Sequence, residues 1–159
     1  MALLSSCALR EPALVLDPVG PFAFPSADTA PTGTLCVFSA FEQGADFNSQ
    51  LYRRRYSDYD ILSLDGKRLR RVHNDKGTVV EAPQKVELPV CNYRVVARAN
   101  GYGEVTVPVV IRANELTTVH LEGGPPGPNR SHLAATNVVR LPNGQIVGCR
   151  AGADNRSQP

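Results

Sequence analysis

The sequence predicts an all-β fold, a small antiparallel β-sandwich of about seven short strands over residues 33–123. The main observation is the stretch 85–123, in which three runs of alternating apolar residues are separated by turn-forming residues. Successive side chains of a strand point to opposite faces, so this alternation indicates one buried and one solvated face. The irregular segment 42–56 has no apolar stripe that would support a helix.

The alternation assigns a core-facing side to each strand. In the first run, Arg94 and Arg98 take the solvated parity. In the second run Pro108, which cannot donate a ladder hydrogen bond, predicts an edge strand or a bulge. Turns at Asn100-Gly101 and at 113–115 separate the runs. The predicted core consists of Leu35, Val37, Ile61, Val86, Leu88, Tyr93, Val95, Ala97, Val105, Val107, Ile111, Val119 and Leu121.

The strands before this stretch begin at Gly33. Residues 33–39 form the opening strand, and both of its faces are apolar enough to be at least half buried. Residues 59–64 and 67–73 then flank Asp65-Gly66. An Asp-Gly pair between two apolar runs predicts a β-hairpin with a tight turn. These strands complete the predicted sandwich.

Several of these runs resemble a known family. The order L-P-x-x-x-Y-x-V-x-A-x-x-x-G-Y from Leu88 is followed by V-x-V-x-V-x-I from Val105 and by T-T-V-x-L from Thr117. Together with the opening strand and the Asp-Gly-Lys turn at 65–67, this pattern resembles a PEGA-type domain. Such domains are small bacterial extracytoplasmic β-sandwiches related to carboxypeptidase regulatory-like and prealbumin-like modules. The resemblance covers residues 33–122, implies the sandwich fold, and implies no catalytic residues.

The chain after the predicted sandwich begins with a Gly/Pro-rich run at 123–128, which ends the domain. The remaining tail, 124–159, contains two short apolar runs around Asn143-Gly144, and this pattern predicts a hairpin over 137–149. A two-stranded hairpin is only marginally stable alone. We therefore expect it to dock on the sandwich or to pair with a partner.

The N-terminal residues resemble part of a bacterial lipoprotein signal peptide. Leu4-Ser5-Ser6-Cys7 is similar to the lipobox, whose cysteine is lipidated and becomes the mature N-terminus. The basic region and most of the apolar region of a signal peptide are missing, so 1–7 is interpreted as a remnant, with the start codon upstream of Met1. The alternative is a chance match to a short pattern.

Residues 8–32 hold five prolines and are interpreted as an extended linker. A lipobox followed by such a linker predicts a lipoprotein that is anchored to the membrane through Cys7. Its expected location is the periplasm or the cell surface of a bacterium.

Positive charge is concentrated in one part of the chain. The net charge of +2 is too small to indicate nucleic-acid binding, but the window 53–76 is rich in arginine and lysine. It predicts a surface for an anionic ligand such as a glycan or a lipid headgroup. The alternative is a charged edge hairpin that discourages edge-to-edge pairing, because acidic residues are interleaved. The candidate ligand residues are Arg53, Arg54, Arg55, Lys67, Arg68, Arg70 and Arg71.

No motif for catalysis, metal binding or a cofactor appears in the sequence. The three histidines are scattered, and there is no His-x-x-x-His, Cys-x-x-Cys, Gly-rich phosphate loop or Gly-x-Ser-x-Gly elbow. We therefore predict a non-enzymatic protein without a cofactor, in a structural or scaffold role, with an envelope protein or peptidoglycan as its partner. The alternative function is a soluble module that binds an anionic ligand through the hairpin 53–76.

Three cysteines remain beyond Cys7, so one thiol is left over if a pair forms in an oxidising compartment. A small hairpin gains most from a covalent tie, and Cys149 is therefore favoured as one partner, with either Cys91 or Cys36 as the other. Three reduced cysteines that act as small hydrophobic residues are the alternative.

Overall fold

β-Strands make up nearly all of the regular structure in the computed structural model, which describes residues 14–20, 32–45, 52–75, 82–123 and 135–152. A 3-10 helix at Ala135–Asn137 is the helical element of these ranges. None of the described residues forms a helix long and apolar enough to cross a bilayer. The all-β prediction is confirmed. The strands are β1 Leu14–Val15, β2 Thr32–Phe38, β3 Phe41–Ala45, β4 Tyr52–Tyr56, β5 Tyr59–Leu62, β6 Arg68–Val72, β7 Lys85–Pro89, β8 Cys91–Ala99, β9 Gly103–Ile111, β10 Leu116–His120, β11 Val138–Arg140 and β12 Ile146–Cys149.

The strands form two larger sheets and two hairpin sheets. The five-stranded sheet has the order β1-β9-β8-β5-β6, and the three-stranded sheet has the order β10-β2-β7. β3 pairs with β4, and β11 pairs with β12. The pairings of β1 with β9 and of β2 with β10 are parallel, whereas the others are antiparallel. The prediction of an entirely antiparallel arrangement is therefore wrong, because alternation fixes the buried face of a strand and leaves the direction of its neighbour open.

One hydrophobic core is built from the inward faces of both larger sheets. The ladder between β8 and β9 runs the length of both strands and places Val95 directly across from Val107. Both valines are completely buried, and every residue predicted for the core is less than a tenth exposed. The predicted parity of these strands is confirmed.

The turns predicted from Asp-Gly and Asn-Gly pairs are present. Gly66, Gly101 and Gly144 have positive φ values of 87°, 71° and 86°, in a region that is open to glycine and strained for most other residues. β5 and β6 accordingly pair antiparallel on either side of the turn that contains Gly66, with a register shift between Ile61 and Leu62.

The N-terminal strap, residues 14–20, lies along the outer edge of β9 and falls within the range predicted to be a linker. Val19 donates its N–H to the Pro108 carbonyl at 2.7 Å, and the Val19 carbonyl accepts from Val110 at 3.0 Å. The N–H and C=O of one strand residue point the same way, so the missing N–H of Pro108 faces the strap and costs β8 no bond. Leu16 and Val19 enter the core, where they are 8% and 0% exposed.

The C-terminal hairpin, β11 and β12, docks on the larger sheets, which is one of the two alternatives expected from the sequence. Its contact with them is close at Gly148. A Cβ at this position would be 2.9 Å from the Thr118 carbonyl oxygen and would overlap Val19 Cγ1. Three hairpin residues belong to the hydrophobic core, namely Val139, Leu141 and Val147.

Polar contacts join the strap to the end of the C-terminal hairpin. The Gly20 N–H donates to the Cys149 carbonyl at 2.9 Å, and the Arg150 guanidinium lies 2.8 Å from the Asp17 carboxylate. Val19 forms bridges to both β9 and Arg150. The two ends of the described chain therefore close the same side of the core.

The β3–β4 hairpin is attached to the three-stranded sheet by aromatic contacts. The ring of Phe38, at the end of β2, meets Tyr56 edge-on at a centroid distance of 5.9 Å. Tyr56 meets Phe41 at 6.0 Å, and His120 of β10 stacks on Phe38 at 4.7 Å. Aromatic contacts of this kind contribute about 1 kcal/mol each beyond the burial of their surface.

A buried polar cluster connects the ends of β2, β4 and β6. Asn74 is completely buried, and its side-chain amide donates to the Val37 carbonyl and to the Ser39 hydroxyl, both at 2.9 Å. Its side-chain oxygen accepts from the Gln84 N–H at 3.0 Å. The Ser39 hydroxyl in turn donates to the Ser57 carbonyl at 2.6 Å. Both polar atoms of the Asn74 side chain thus have partners, as a buried amide requires.

The parity of β8 gives a direct test of the register. We expect Val95→Ala to lower the free energy of unfolding by about 2 kcal/mol, because it removes two completely buried methyl groups and leaves a cavity. Arg94→Ala, one residue earlier on the solvated face, should change it by less than about 0.5 kcal/mol. Equilibrium denaturation of the two variants measures both values. Equal destabilisation would mean that β8 has been assigned to the wrong register.

Candidate functional site

Exposed arginines collect on the outer face of the five-stranded sheet, the side turned away from the core. We call this surface the basic face and define it by the outward positions of β5, β6, β8 and β9. Two of its arginines lie on the edge strand β6 and two on the central strand β8. They are Arg68, Arg71, Arg94 and Arg98.

Strand pairing places these arginines in adjacent rows, because directly paired residues share a face. Leu62 of β5 pairs with Arg68 on one side and with Arg94 on the other. Arg94 pairs in turn with Pro108 of β9. The next row crosses all five strands and consists of Arg71, Asp60, Val96, Thr106 and Val15.

The alternation of β8 is what turns Arg94 and Arg98 outward. Val95 and Ala97 are buried, whereas both arginines are exposed and Val96 between them is half-buried. Arg98 stands four positions after Arg94 on the same strand, so the Cα atoms of the two arginines are about 13 Å apart. A flat surface therefore presents two cations with an apolar side chain between them.

Carboxylates compensate part of this charge. The Arg68 guanidinium lies 3.9 Å from the Asp60 carboxylate, and that of Arg71 lies 3.7 Å from the Asp58 carboxylate. Both arginine side chains are 63% exposed, so each pair contributes at most about 1 kcal/mol. Among the described residues, no ion pair involves the two arginines of β8, although Glu104 lies across the ladder from Arg98.

Asp65, in the turn beside the basic face, has an ionised carboxylate that accepts a hydrogen bond from its own turn. A hydrogen bond from the Ser63 hydroxyl is the main cause that lowers the pKa of Asp65, and the nearby Arg94 charge adds to it. The Ser63 hydroxyl contacts the Asp65 carboxylate directly. The Asp65 carboxylate is therefore fixed mainly by its own turn and also interacts with Arg94 of the basic face.

The structure does not bring the seven basic residues predicted from the sequence onto one surface. Arg54 and Arg55 lie on β4, in a different sheet, where the Arg54 guanidinium sits 4.9 Å above the Phe41 ring. The side chain of Arg53 lies outside the described part of the structure.

Arg70 pairs with Ile61 on the face opposite to the basic face. Lys67 precedes β6 in the turn. Of the seven basic residues predicted from the sequence, Arg68 and Arg71 belong to the basic face.

Sequence reasoning missed two members of the basic face, Arg94 and Arg98. The alternation of β8 predicts that both arginines are solvated. It does not predict that they share a surface with the arginines of the 53–76 window. The available signal was the period-two spacing of Arg94, Val96 and Arg98, once β8 is recognised as the strand next to β5.

Comparison of the sequence with known protein families gives no match. No curated protein and no solved structure matches it either. The residues of this chain are therefore the basis on which its function can be inferred.

Other groups with potential chemistry are paired or buried. No group of three or more metal-ligating side chains occurs among the described residues. The His120 ring nitrogen lies 2.8 Å from the Glu122 carboxylate, and His73 lies 2.8 Å from that of Asp58. The Tyr59 hydroxyl is buried, and this burial raises its pKa above the ordinary value of 10.

The cysteines lie at different depths. Cys36 is buried within β2, Cys91 is exposed at the start of β8, and Cys149 ends β12 in an intermediate position. The structure has no disulfide among these three described cysteines. Pairing of Cys149 with Cys91 or Cys36 stays a prediction, and Cys7, the predicted lipidation site, lies outside the described residues.

Proposed function

We propose that the protein is a non-enzymatic lipoprotein of the bacterial envelope, anchored to the membrane through Cys7 in the periplasm or at the cell surface. Its role is structural, with an envelope protein or peptidoglycan as the partner of its β-domain. The lipobox-like residues 4–7 motivate the anchor, and the way in which the strap is fixed to the fold carries the proposal.

The strap makes Cys7 a suitable point of attachment. Leu14, the first residue of β1, stands seven positions after Cys7, and an extended chain of seven such steps spans at most about 25 Å. Leu16 and Val19 fix the strap in the core. A lipid on Cys7 would therefore hold the folded unit next to the bilayer, much closer than a free linker over 8–32 would.

We also propose that seven strands, β2 and β5 to β10, form a β-sandwich with mixed strand directions that is related to the PEGA domains. The support is that these strands make up both larger sheets once β1 is set aside. β3 and β4 form a separate hairpin sheet between the opening strand and Tyr59. The strap and the C-terminal hairpin are further additions at one side.

Lipidation of Cys7 is directly measurable. Expressed from its own gene, with any coding sequence upstream of Met1, the protein should incorporate a fatty-acid analogue, because the lipobox cysteine is the acceptor. Cys7→Ala should abolish the label, and Cys91→Ala, at an exposed cysteine in the fold, should retain it. Mass spectrometry of the labelled protein identifies the site.

An unlabelled wild-type protein, or equal labelling of wild type and Cys7→Ala, would contradict the anchor. In that case the second candidate function remains, a soluble module that recognises an anionic glycan or headgroup. It is favoured by the exposure of Arg54 and Arg55 on β4 and of the arginines on β6.

A further inference from the structure

We infer that the basic face is a membrane-contact surface that binds the anionic headgroups of a lipid bilayer and lays the five-stranded sheet on it. The inference builds on the proposed anchor at Cys7 and adds a second, non-covalent contact that sets the orientation of the domain. It assigns this contact to Arg94 and Arg98, with Arg68 and Arg71 beside them.

Charge is the first argument. Arg94 and Arg98 are exposed, and neither has an ion pair among the described residues. Arg68 and Arg71 reach their carboxylates only at 3.9 and 3.7 Å across a solvated surface. Such guanidinium groups are free to rotate toward phosphate oxygens, which they bind with two parallel hydrogen bonds.

The apolar residues of the same face are the second argument. Leu62 and Val96 lie between the arginines, and Pro108 lies beside Arg94 on β9. All three are only half-buried, and Val15 at the end of one row is 68% exposed. An interfacial surface combines arginines at headgroup level with apolar groups that reach toward the acyl boundary. Together with the arginines, these side chains give the basic face the mixed composition of an interfacial surface.

The position of the strap is the third argument. β1 is the edge strand of the same sheet, and Val15 shares the outer face through its pairing with Thr106. A chain that is anchored at Cys7 thus enters the fold at the rim of the basic face. With at most about 25 Å between anchor and rim, the face stays at a high effective concentration near the headgroups.

The same features argue against a second copy of the chain as the occupant. Two basic faces brought together would bring Arg94 and Arg98 of both copies close to one another, and neither arginine has an ion pair among the described residues. Such an approach of like charges is unfavourable. A bilayer with anionic lipids offers a flat surface of opposite charge, and each arginine near it should raise the affinity about fivefold.

The test uses the full chain with Cys7→Ser, so that no acyl group contributes to binding. Co-sedimentation with phosphatidylglycerol/phosphatidylcholine vesicles should exceed that with pure phosphatidylcholine vesicles, and should fall as salt is raised. Adding Arg94→Ser and Arg98→Ser should weaken binding to the anionic vesicles about 25-fold. The double change to lysine keeps the charges and should retain most of the binding.

Arg54→Ser with Arg55→Ser is the matched control, since it removes the same charge from the β3–β4 sheet and should have a much smaller effect. Thermal melting checks that all variants are folded. The inference is overturned if the unacylated chain shows no preference for anionic vesicles, or if both serine pairs weaken binding equally. Binding to a soluble polyanion such as heparin without binding to vesicles would overturn it in favour of a glycan. None of these results depends on the labelling of Cys7, so the two proposals can fail separately.

Discussion

Asn74→Ala is expected to lower the free energy of unfolding by about 3 kcal/mol. The substitution removes two hydrogen bonds donated to Val37 and Ser39 and one accepted from Gln84. The three partner groups stay in place without the amide, and an unsatisfied buried polar group costs about 1–3 kcal/mol. The effect should exceed that of Val95→Ala, although the side chain that is lost is polar.

The control is the same substitution at Asn92, which is exposed on β8 and should change stability by less than about 0.5 kcal/mol. Ser39→Ala should have an intermediate effect of about 1 kcal/mol, because it removes one partner and leaves the other bonds of Asn74 intact. Urea denaturation at constant pH gives all three values. If Asn74→Ala behaves like Asn92→Ala, the cluster does not hold the ends of β2, β4 and β6 together.

Gly148→Ala is expected to lower the free energy of unfolding by about 3 kcal/mol, at the upper end of the cost of overpacking. The new Cβ would meet the Thr118 carbonyl oxygen at 2.9 Å and overlap Val19 Cγ1. Neither neighbour can move easily, because one is backbone and the other is a completely buried side chain. The C-terminal hairpin should therefore separate from the strap.

Val19→Ala provides a compensating change. Alone it should cost about 2 kcal/mol by lost burial and a cavity. Together with Gly148→Ala it should cost at least about 1 kcal/mol less than the sum of the two, because the methyl group in the way has been removed. Val15→Ala, at an exposed residue of the same strap, should combine additively with Gly148→Ala. Strict additivity for Val19 as well would show that the strap and β12 do not share this contact.

The core of this fold could be predicted from the sequence because parity is a local property. Val95, Val107 and Val119 alternate with polar residues, and each such run places its apolar side chains on one face whatever its neighbours are. The turn at Gly66 could also be predicted from the sequence, because the positive φ that it requires depends on a single residue.

Features that depend on contacts between segments distant in the sequence could not be predicted. The parallel pairing of β2 with β10 joins strands about 80 residues apart, and nothing in either strand encodes its direction. Val19 stands among prolines that indicate a linker, yet it fills the space between β9 and β12. No local pattern marks Asn74, because the partners of its side chain lie on two other segments, at 37–39 and at Gln84.

The candidate site shows the same division. The described arginines close in sequence, from Arg54 to Arg71, point to different surfaces because a change of sheet lies between them. Arg94 and Arg98 join Arg68 and Arg71 only through the pairing of β5 with both β6 and β8. The composition of the 53–76 window therefore predicts a larger charged surface than the structure has. It also omits Arg94 and Arg98, which are half of the arginines of the basic face.

The parallel alignment of the strap with β9 determines how the fold would respond to mechanical force. In a chain held at Cys7, tension enters at Leu14 and runs along the strap toward Gly20. The backbone bonds of Leu16 and Val19 to β9, and of Gly20 to Cys149, then bear the load together in shear. They would not open one after another, as in a hairpin pulled apart at its end. Val19, which packs closely against Gly148, adds a steric contact that would resist such a pull.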